Sequence, residues 1–213
     1  IMGLLASKKT GRKIDVENHG EFVDFSTCCY LGLDHDLTNE DLKQVELHGL
    51  RNGWSRISGT SSLCRDLETE ISKKMNFEET RLSPSISLIN FTIFNSLASV
   101  FDFCLFDIDC HSTMKIGISS SSFRKRMFPW KNNDLNDLKT KLEDLPKESK
   151  KLIVVDGIYS MKGSIAPIKE LNEIAESTNS YIFIDDAHGF GTVGPTPAIR
   201  RLKRIQDLCL RRS

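Results

Sequence analysis

The sequence is short of the signals that name a chemistry outright. It has no excess of either charge: Lys plus Arg and Asp plus Glu both total 29, so no global pull toward nucleic acid or anionic membrane follows. It has no apolar run near the ~20 residues that a membrane helix needs, and no signal peptide. Its six cysteines contain no CxxC pair, and Cys28 and Cys29 are adjacent and poorly placed to bridge each other. All six are therefore read as reduced thiols of an intracellular protein, and the expected location is cytoplasmic. No GxSxG elbow and no GxxxxGK[ST] loop occurs, which excludes the familiar hydrolase nucleophile and the P-loop. Nor is any segment read as a Rossmann dinucleotide fingerprint. What remains is ordinary: 39% hydrophobic, 27% charged and 8% aromatic residues over 213 positions, enough for one large domain.

The informative part lies in the second half. Leu152-Ile153-Val154-Val155-Asp156 and Tyr181-Ile182-Phe183-Ile184-Asp185 are apolar runs that each close in aspartate. Between them Pro167 opens a helix at a favoured early position, with Ile168, Leu171, Ile174 and Ala175 on its inner face. Strand, helix and strand make a βαβ unit, so the sheet is at least partly parallel. Upstream, Phe103 to Asp107 reads as a strand, and Leu63 to Met75 as an amphipathic helix with Leu63, Leu67, Ile71 and Met75 at intervals of four. A nearly all-apolar helix spans about Leu88 to Phe101, and a helix through Leu135, Leu138, Leu142 and Leu145 is closed by Pro146. Residues 38–50 are helix-like, Arg124 to Phe128 reads as a mixed strand, and the Ser-rich Gly117 to Ser122 is too short for a linker. Residues 1–20 read as a basic arm, followed by a short exposed strand at Glu21 to Phe25. The expected division is an arm and first turn segment over 1–45 and one α/β domain over 46–213.

In open α/β sheets ligands sit at the carboxyl ends of the strands. Asp156 and Asp185 place two carboxylates on one such rim, and His188 follows three residues after Asp185. On position alone Asp185 is either a cap or turn residue or the partner of a buried cation. A metal site drawn from Asp185, Asp186, His188 and His111 lacks any HxxxH or HxH spacing, so no metal is expected. The tail from Arg200 to Arg212 is basic, with Ile199, Leu202, Ile205 and Leu208 spaced by three. That describes a solvated amphipathic helix better than a nucleic-acid contact.

Taken together, four segments in order resemble the α-oxoamine synthases, a pyridoxal 5'-phosphate (PLP) enzyme family. They are Tyr30-Leu31-Gly32-Leu33; Ser58-Gly59-Thr60-Ser61 with Leu67-Glu68; Asp156-Gly157-Ile158-Tyr159-Ser160-Met161-Lys162-Gly163 with Ala166-Pro167; and Asp185-Asp186-Ala187-His188-Gly189-Phe190-Gly191 with Gly194. The resemblance runs from about Phe22 to Gly194. It implies a three-layer αβα fold with a mostly parallel sheet, the large domain of the aspartate aminotransferase-like PLP enzymes. It also implies roles. Asp185 pairs with the protonated pyridine nitrogen, which keeps the ring a good electron sink. His188 and Ser160 lie by the ring's phenolic oxygen, and His111 stacks over the ring. Ser85-Ile86-Ser87 aligns with the phosphate-binding turn, and Asn90 with the asparagine that follows it. The implied reaction is condensation of an amino acid with an acyl-CoA thioester, usually with loss of CO₂, in a dimer.

Some positions depart from the pattern. The family's cofactor-linking lysine lies in an [ST]-F-[GS]-K segment beyond D-D-A-H, and none occurs in these 213 residues; Lys203, the only lysine after Lys169, sits in an Arg-rich context. Ile86 stands where relatives have glycine, Cys28 where they have a substrate-contacting asparagine, and Cys64 where a histidine is common. Trp54 and Arg56 lie in a loop that is richer in glycine in the relatives. The expectation is an incomplete large domain, inactive by itself, or else a non-catalytic partner of a lysine-bearing homologue.

Overall fold

A computed structural model describes residues 6–25, 28, 30, 40, 43 and 60–192. Chain contacts group into two units, Ile1–Leu63 and Cys64–Ser213. All of the helix expected over 38–50 except Glu40 and Lys43, which are helical, most of the Tyr30–Leu33 segment, Ser58-Gly59, Gly194 and the basic tail lie outside the described residues.

In the first unit the expected arm is a small antiparallel sheet of β1 (Ala6–Thr10), β2 (Lys13–Val16) and β3 (Gly20–Val23), in that order. The signal was in the turns. Gly11 at φ 60 joins β1 to β2, and Asn18 at φ 63 with Gly20 at φ 85 joins β2 to β3. Glycine and asparagine are the residues that tolerate such angles. The strands themselves are short, charged and mostly exposed, so they show no alternating apolar pattern.

The second unit is built on a four-stranded sheet of β4 (Phe103–Asp107), β5 (Met127–Trp130), β6 (Lys151–Asp156) and β7 (Ser180–Asp185). Its order is β5-β4-β6-β7, and every pairing is parallel. The helices are α1 (Ser62–Met75), α2 (Ile86–Leu97), α3 (Ser112–Ser120), α4 (Leu135–Glu143) and α5 (Ile168–Ser177). Strand alternation divides the core in two. Leu105, Ile153, Val155 and Ile182 point to the face covered by Leu138 and Leu142 of α4 and by Ile168, Leu171, Ile174 and Ala175 of α5. Cys104, Phe106, Leu152 and Val154 point the other way, onto Phe94 of α2 and Met114 and Ile118 of α3. This is the three-layer αβα arrangement. β6 is buried at all six positions, as a central strand covered on both faces must be.

Two expectations change, and one stretch that was given no element gains one. Gly117 to Ser122 carries the end of α3, which runs through Ser120, and a 3₁₀ turn follows at Ser122–Lys125. Serine and glycine are weak helix formers, and packing supplies what propensity does not. A Cβ on Gly117 would stand 2.0 Å from the Asn90 carbonyl oxygen, so glycine is what lets α2 and α3 approach. The mixed strand is displaced: β5 starts at Met127 and takes in Pro129, which an edge strand accommodates because one side needs no N–H. Finally, the regular stripe on α1 is not a core face, since Leu63 and Leu67 are exposed and of the four only Met75 is buried. No helix among the described residues is long and apolar enough to cross a membrane.

Candidate functional site

Three strands of the parallel sheet end in aspartate at the same rim. Asp156 and Asp185 are register partners on β6 and β7, and Asp107 closes β4 on the other side of β6. All three are buried. A buried carboxylate needs donors, and each one draws in a different loop.

Asp185 Oδ1 accepts from the Ala187 backbone N–H (3.1 Å), and Oδ2 accepts from Asn90 Nδ2 (2.8 Å). One oxygen thus shapes the turn after β7, and the other binds a fully buried amide on α2. The same Asn90 Nδ2 donates to Thr113 Oγ1 (3.1 Å) on α3. Thr113 Oγ1 lies 2.7 Å from His111 Nδ1, and the Thr113 backbone N–H points to that nitrogen at 3.3 Å. His111 is the N-cap of α3 and is exposed. Its own backbone N–H donates to Asp156 Oδ1 (3.2 Å). Asp185, Asn90, Thr113, His111 and Asp156 therefore form one connected set.

Asp107 is the structural member of the rim. It accepts from the Asp109 N–H (2.9 Å), the Asn133 N–H (3.0 Å), Asn132 Nδ2 (3.1 Å) and the buried Tyr159 hydroxyl (2.7 Å). Those bonds tie the loops after β4, β5 and β6 together. Ser160, next to Tyr159, is exposed, and no hydrogen bond among the described residues joins it to the other candidates. His188 is half-buried in the turn after β7, where its carbonyl accepts from Thr192 Oγ1 (2.7 Å).

Burial raises two further carboxyls. Asp156 is pushed up to about 7, first by burial and then by the charges of Asp185 and Asp107, against the opposing His111 N–H. Asp186 is pushed up to about 6 by burial and by Asp185. Neither Asp186 oxygen has a hydrogen-bond partner among the described residues. A Cβ on Gly157 or Gly189 would stand 2.1 or 2.2 Å from Asp186 Oδ1, so these glycines make room for that carboxyl. Gly189, Gly191 and Gly194 do have G-x-G-x-x-G spacing. Gly189 is packed on Asp186, however, and residues 187–192 are turns rather than the start of a helix, unlike a dinucleotide loop. Burial also pushes the Cys104 and Cys110 thiols up; these two and Cys28 are free thiols. Cys29 and Cys209 lie outside the described residues. No group of three His, Cys, Asp or Glu side chains among the described residues is arranged to hold a metal.

Ser85 is the N-cap of α2, and its Oγ accepts from the Leu88 N–H (3.1 Å). Ile86 is the first helical residue and is not among the residues with positive φ. The β-branched side chain in place of glycine is therefore unstrained, and the first-turn N–H groups other than that of Leu88, which Ser85 caps, are donors of the kind that can receive an anion. Asn90 lies about one turn further along the same helix. Helix α2 thus has its N-terminal donors close in sequence to the amide that grips the acidic strand end. That donor set fits a ligand with a phosphate and a protonated aromatic nitrogen. Asp107 and Thr113 were missed from the sequence, and Asp186 was read only as part of a rejected metal set and of a motif; an aspartate closing each of three apolar strands was the available sign for the first.

Comparison with known proteins follows the same line. The family described as aminotransferase class I and II matches residues 21–210. The 8-amino-7-oxononanoate synthase of Thermosipho melanesiensis is 34% identical over 168 residues, covering 78% of this chain and 42% of that protein. The mitochondrial 5-aminolevulinate synthase of Candida albicans is 33% identical, covering 78% of this chain and 30% of its own length. Among solved structures, a serine palmitoyltransferase from S. paucimobilis with a bound PLP–myriocin aldimine superposes with a TM-score of 0.78 at 25% identity, over 88% of this chain and 47% of that one. The chain thus spans less than half the length of these relatives and shares the fold of the PLP-dependent transferases. By the extent of the match, it belongs to the aminotransferase class I and II family.

Proposed function

We propose that these residues hold the pyridine ring and phosphate of PLP in an α-oxoamine synthase-type acyltransferase that joins an amino acid to an acyl-CoA. The observation that carries this reading is the Asn90–Asp185 bond. It ties a buried carboxylate at the end of β7 to the helix whose N-terminus can take a phosphate. Bound there, PLP supplies an electron sink for the pair left when an amino acid loses its α proton. Asp185 holds the proton on the ring nitrogen by its opposite charge. Ser85, Ile86 and the first turn of α2 receive the phosphate, and Asn90 fixes the direction of the Asp185 carboxylate. His111 offers an exposed imidazole face to the ring, and His188 and Ser160 serve the phenolic oxygen.

None of these 213 residues lies in an [ST]-F-[GS]-K segment, and the contacts assigned above to the described residues are all noncovalent. Lys151 is no substitute. It is buried at the start of β6, where its ammonium donates to the Lys147, Ser149 and Thr178 carbonyls, and it lies about 17 Å along the strand from Asp156. The purified chain is titrated with PLP and followed by absorbance. Saturable binding is expected, weakened by about ten-fold or more in Asp185→Ala. Absence of saturation in the unaltered chain overturns the reading. Borohydride reduction followed by mass spectrometry is expected to leave the chain mass unchanged, and an adduct on one specific lysine would contradict noncovalent holding.

A further inference from the structure

We propose that Asp185 biases the tautomer ratio of His111 through two positioning residues, Asn90 and Thr113. The argument rests on which atoms can only donate. The Thr113 backbone N–H points at His111 Nδ1 (3.3 Å), so Nδ1 is an acceptor there. Asn90 Nδ2 can only donate, and it lies 3.1 Å from Thr113 Oγ1 and 2.8 Å from Asp185 Oδ2. Thr113 Oγ1 therefore accepts from Asn90, and its own proton is free for His111 Nδ1 at 2.7 Å. The neutral imidazole then carries its proton on Nε2.

The Thr113 N–H contributes whichever way Asn90 lies, but the orientation of Asn90 decides whether the Thr113 hydroxyl donates to Nδ1 as well, and Asp185 decides that orientation. With the amide turned over, its oxygen would face a carboxylate oxygen, two acceptors with no proton between them. Nothing else holds the amide, since Asn90 Oδ1 is buried without a partner among the described residues. Turning the amide therefore breaks no bond at its far side. The relay is also close-packed: Asn90 is fully buried, Thr113 nearly so, and Gly117, one turn after Thr113, brings α3 against the Asn90 carbonyl. The charge at the end of β7 is thus read at the exposed ring of His111 as a shift in the balance between its two donor nitrogens.

A near-isosteric change separates this from a merely structural role. In Asp185→Asn, Oδ1 continues to accept from the Ala187 N–H, which leaves the new Nδ2 facing Asn90. Asn90 must then turn its oxygen toward residue 185. That oxygen also faces Thr113, whose hydroxyl now donates to Asn90 and accepts from His111 Nδ1–H. The Thr113 backbone N–H still favours an acceptor at Nδ1, so the tautomer ratio shifts toward Nδ1–H rather than inverting, although the signal crosses two intervening side chains.

The geometry of the relay stands without any ligand; its use in presenting His111 to a bound ring rests on the proposed PLP reading. The test is a long-range proton–nitrogen correlation spectrum of the 213-residue chain with isotope-labelled histidine. It is recorded at about pH 8.5, where an ordinary imidazole is neutral, and the His111 signals are assigned by their loss in His111→Gln. The unaltered chain is expected to show Nε2–H. Asp185→Asn is expected to shift the tautomer ratio toward Nδ1–H by roughly ten-fold, the scale of one or two exchanged hydrogen bonds. Thr113→Val should abolish the response to Asp185→Asn, and Thr113→Ser should restore it. An Nδ1–H tautomer in the unaltered chain overturns the proposal and needs no variant to fold. So does a folded Asp185→Asn chain with an unchanged ratio. No PLP enters these measurements, so failure of PLP to bind counts against the functional reading and leaves the relay to be judged on its own spectra.

Discussion

Asp156 carries the clearest pH-dependent consequence among single residues. It accepts one backbone N–H while burial and two neighbouring carboxylates push its value up to about 7. The folded value lies above the ordinary one, so between about pH 4 and 7 the folded chain binds more protons than the unfolded chain. Stability therefore falls as pH rises through that window. Asp156→Asn keeps an acceptor for His111 and removes the ionisation. We expect it to flatten the loss of stability between about pH 6 and 7 in urea midpoints, while Asp186 maintains a slope up to about 6. An unchanged slope would show that Asp156 ionises normally in the folded chain. At this scale Asp185 was legible in the sequence, because an apolar strand running into a carboxylate is a local pattern. Asp107 and Thr113 were not. Their partners lie in other loops and helices, and nothing adjacent to them in sequence announces those contacts.

Among the elements, the contact between α2 and α3 governs the site. Asn90 and Thr113 can meet only if the two helices come close, and Gly117 sets that approach, its missing Cβ standing 2.0 Å from a backbone oxygen and 2.8 Å from the Phe94 ring. Backbone cannot yield as a flexible side chain can. Gly117→Ala is expected to lower unfolding stability by about 3 kcal/mol, the upper end of ordinary overpacking, despite alanine's better helix propensity. Chemical denaturation measures the loss, and a stabilised variant would refute the close approach. Strand β7 and helix α5 were readable because their periods are clean: all four residues expected on the inner face of α5 are buried. Helix α3 was hidden by its serines. On α1 the pattern gave the right element and the wrong environment, since an intact four-residue spacing leaves Leu63 and Leu67 exposed.

Across the molecule, burial is concentrated on the parallel sheet. β6 has partners on both sides and helices over both faces, whereas β5 is an edge and the strands of the first unit are mostly exposed. Local opening follows that gradient. Amide hydrogen exchange is expected to be slowest at Ile153, Val154 and Val155, faster in β5 and fastest in β1–β3. Protection in β1–β3 equal to that of β6 would overturn this order. Asp185, proposed to hold the ring nitrogen, stands at the carboxyl end of β7 beside β6, which gives it a rigid base.

The sequence by itself determined the βαβ unit, the parallel sheet, the aspartates at its rim and the family to which the segments point. Those features repeat at a fixed local period or occur as contiguous motifs, so neighbouring residues carry the information. Only the tertiary structure decided that Asp185 is gripped by Asn90, that Thr113 joins this pair to His111, and that Gly157 and Gly189 make room for Asp186. Asn90 and Asp185 are 95 positions apart in the chain. Their meeting depends on helix spacing and strand order, which become defined only when the layers pack.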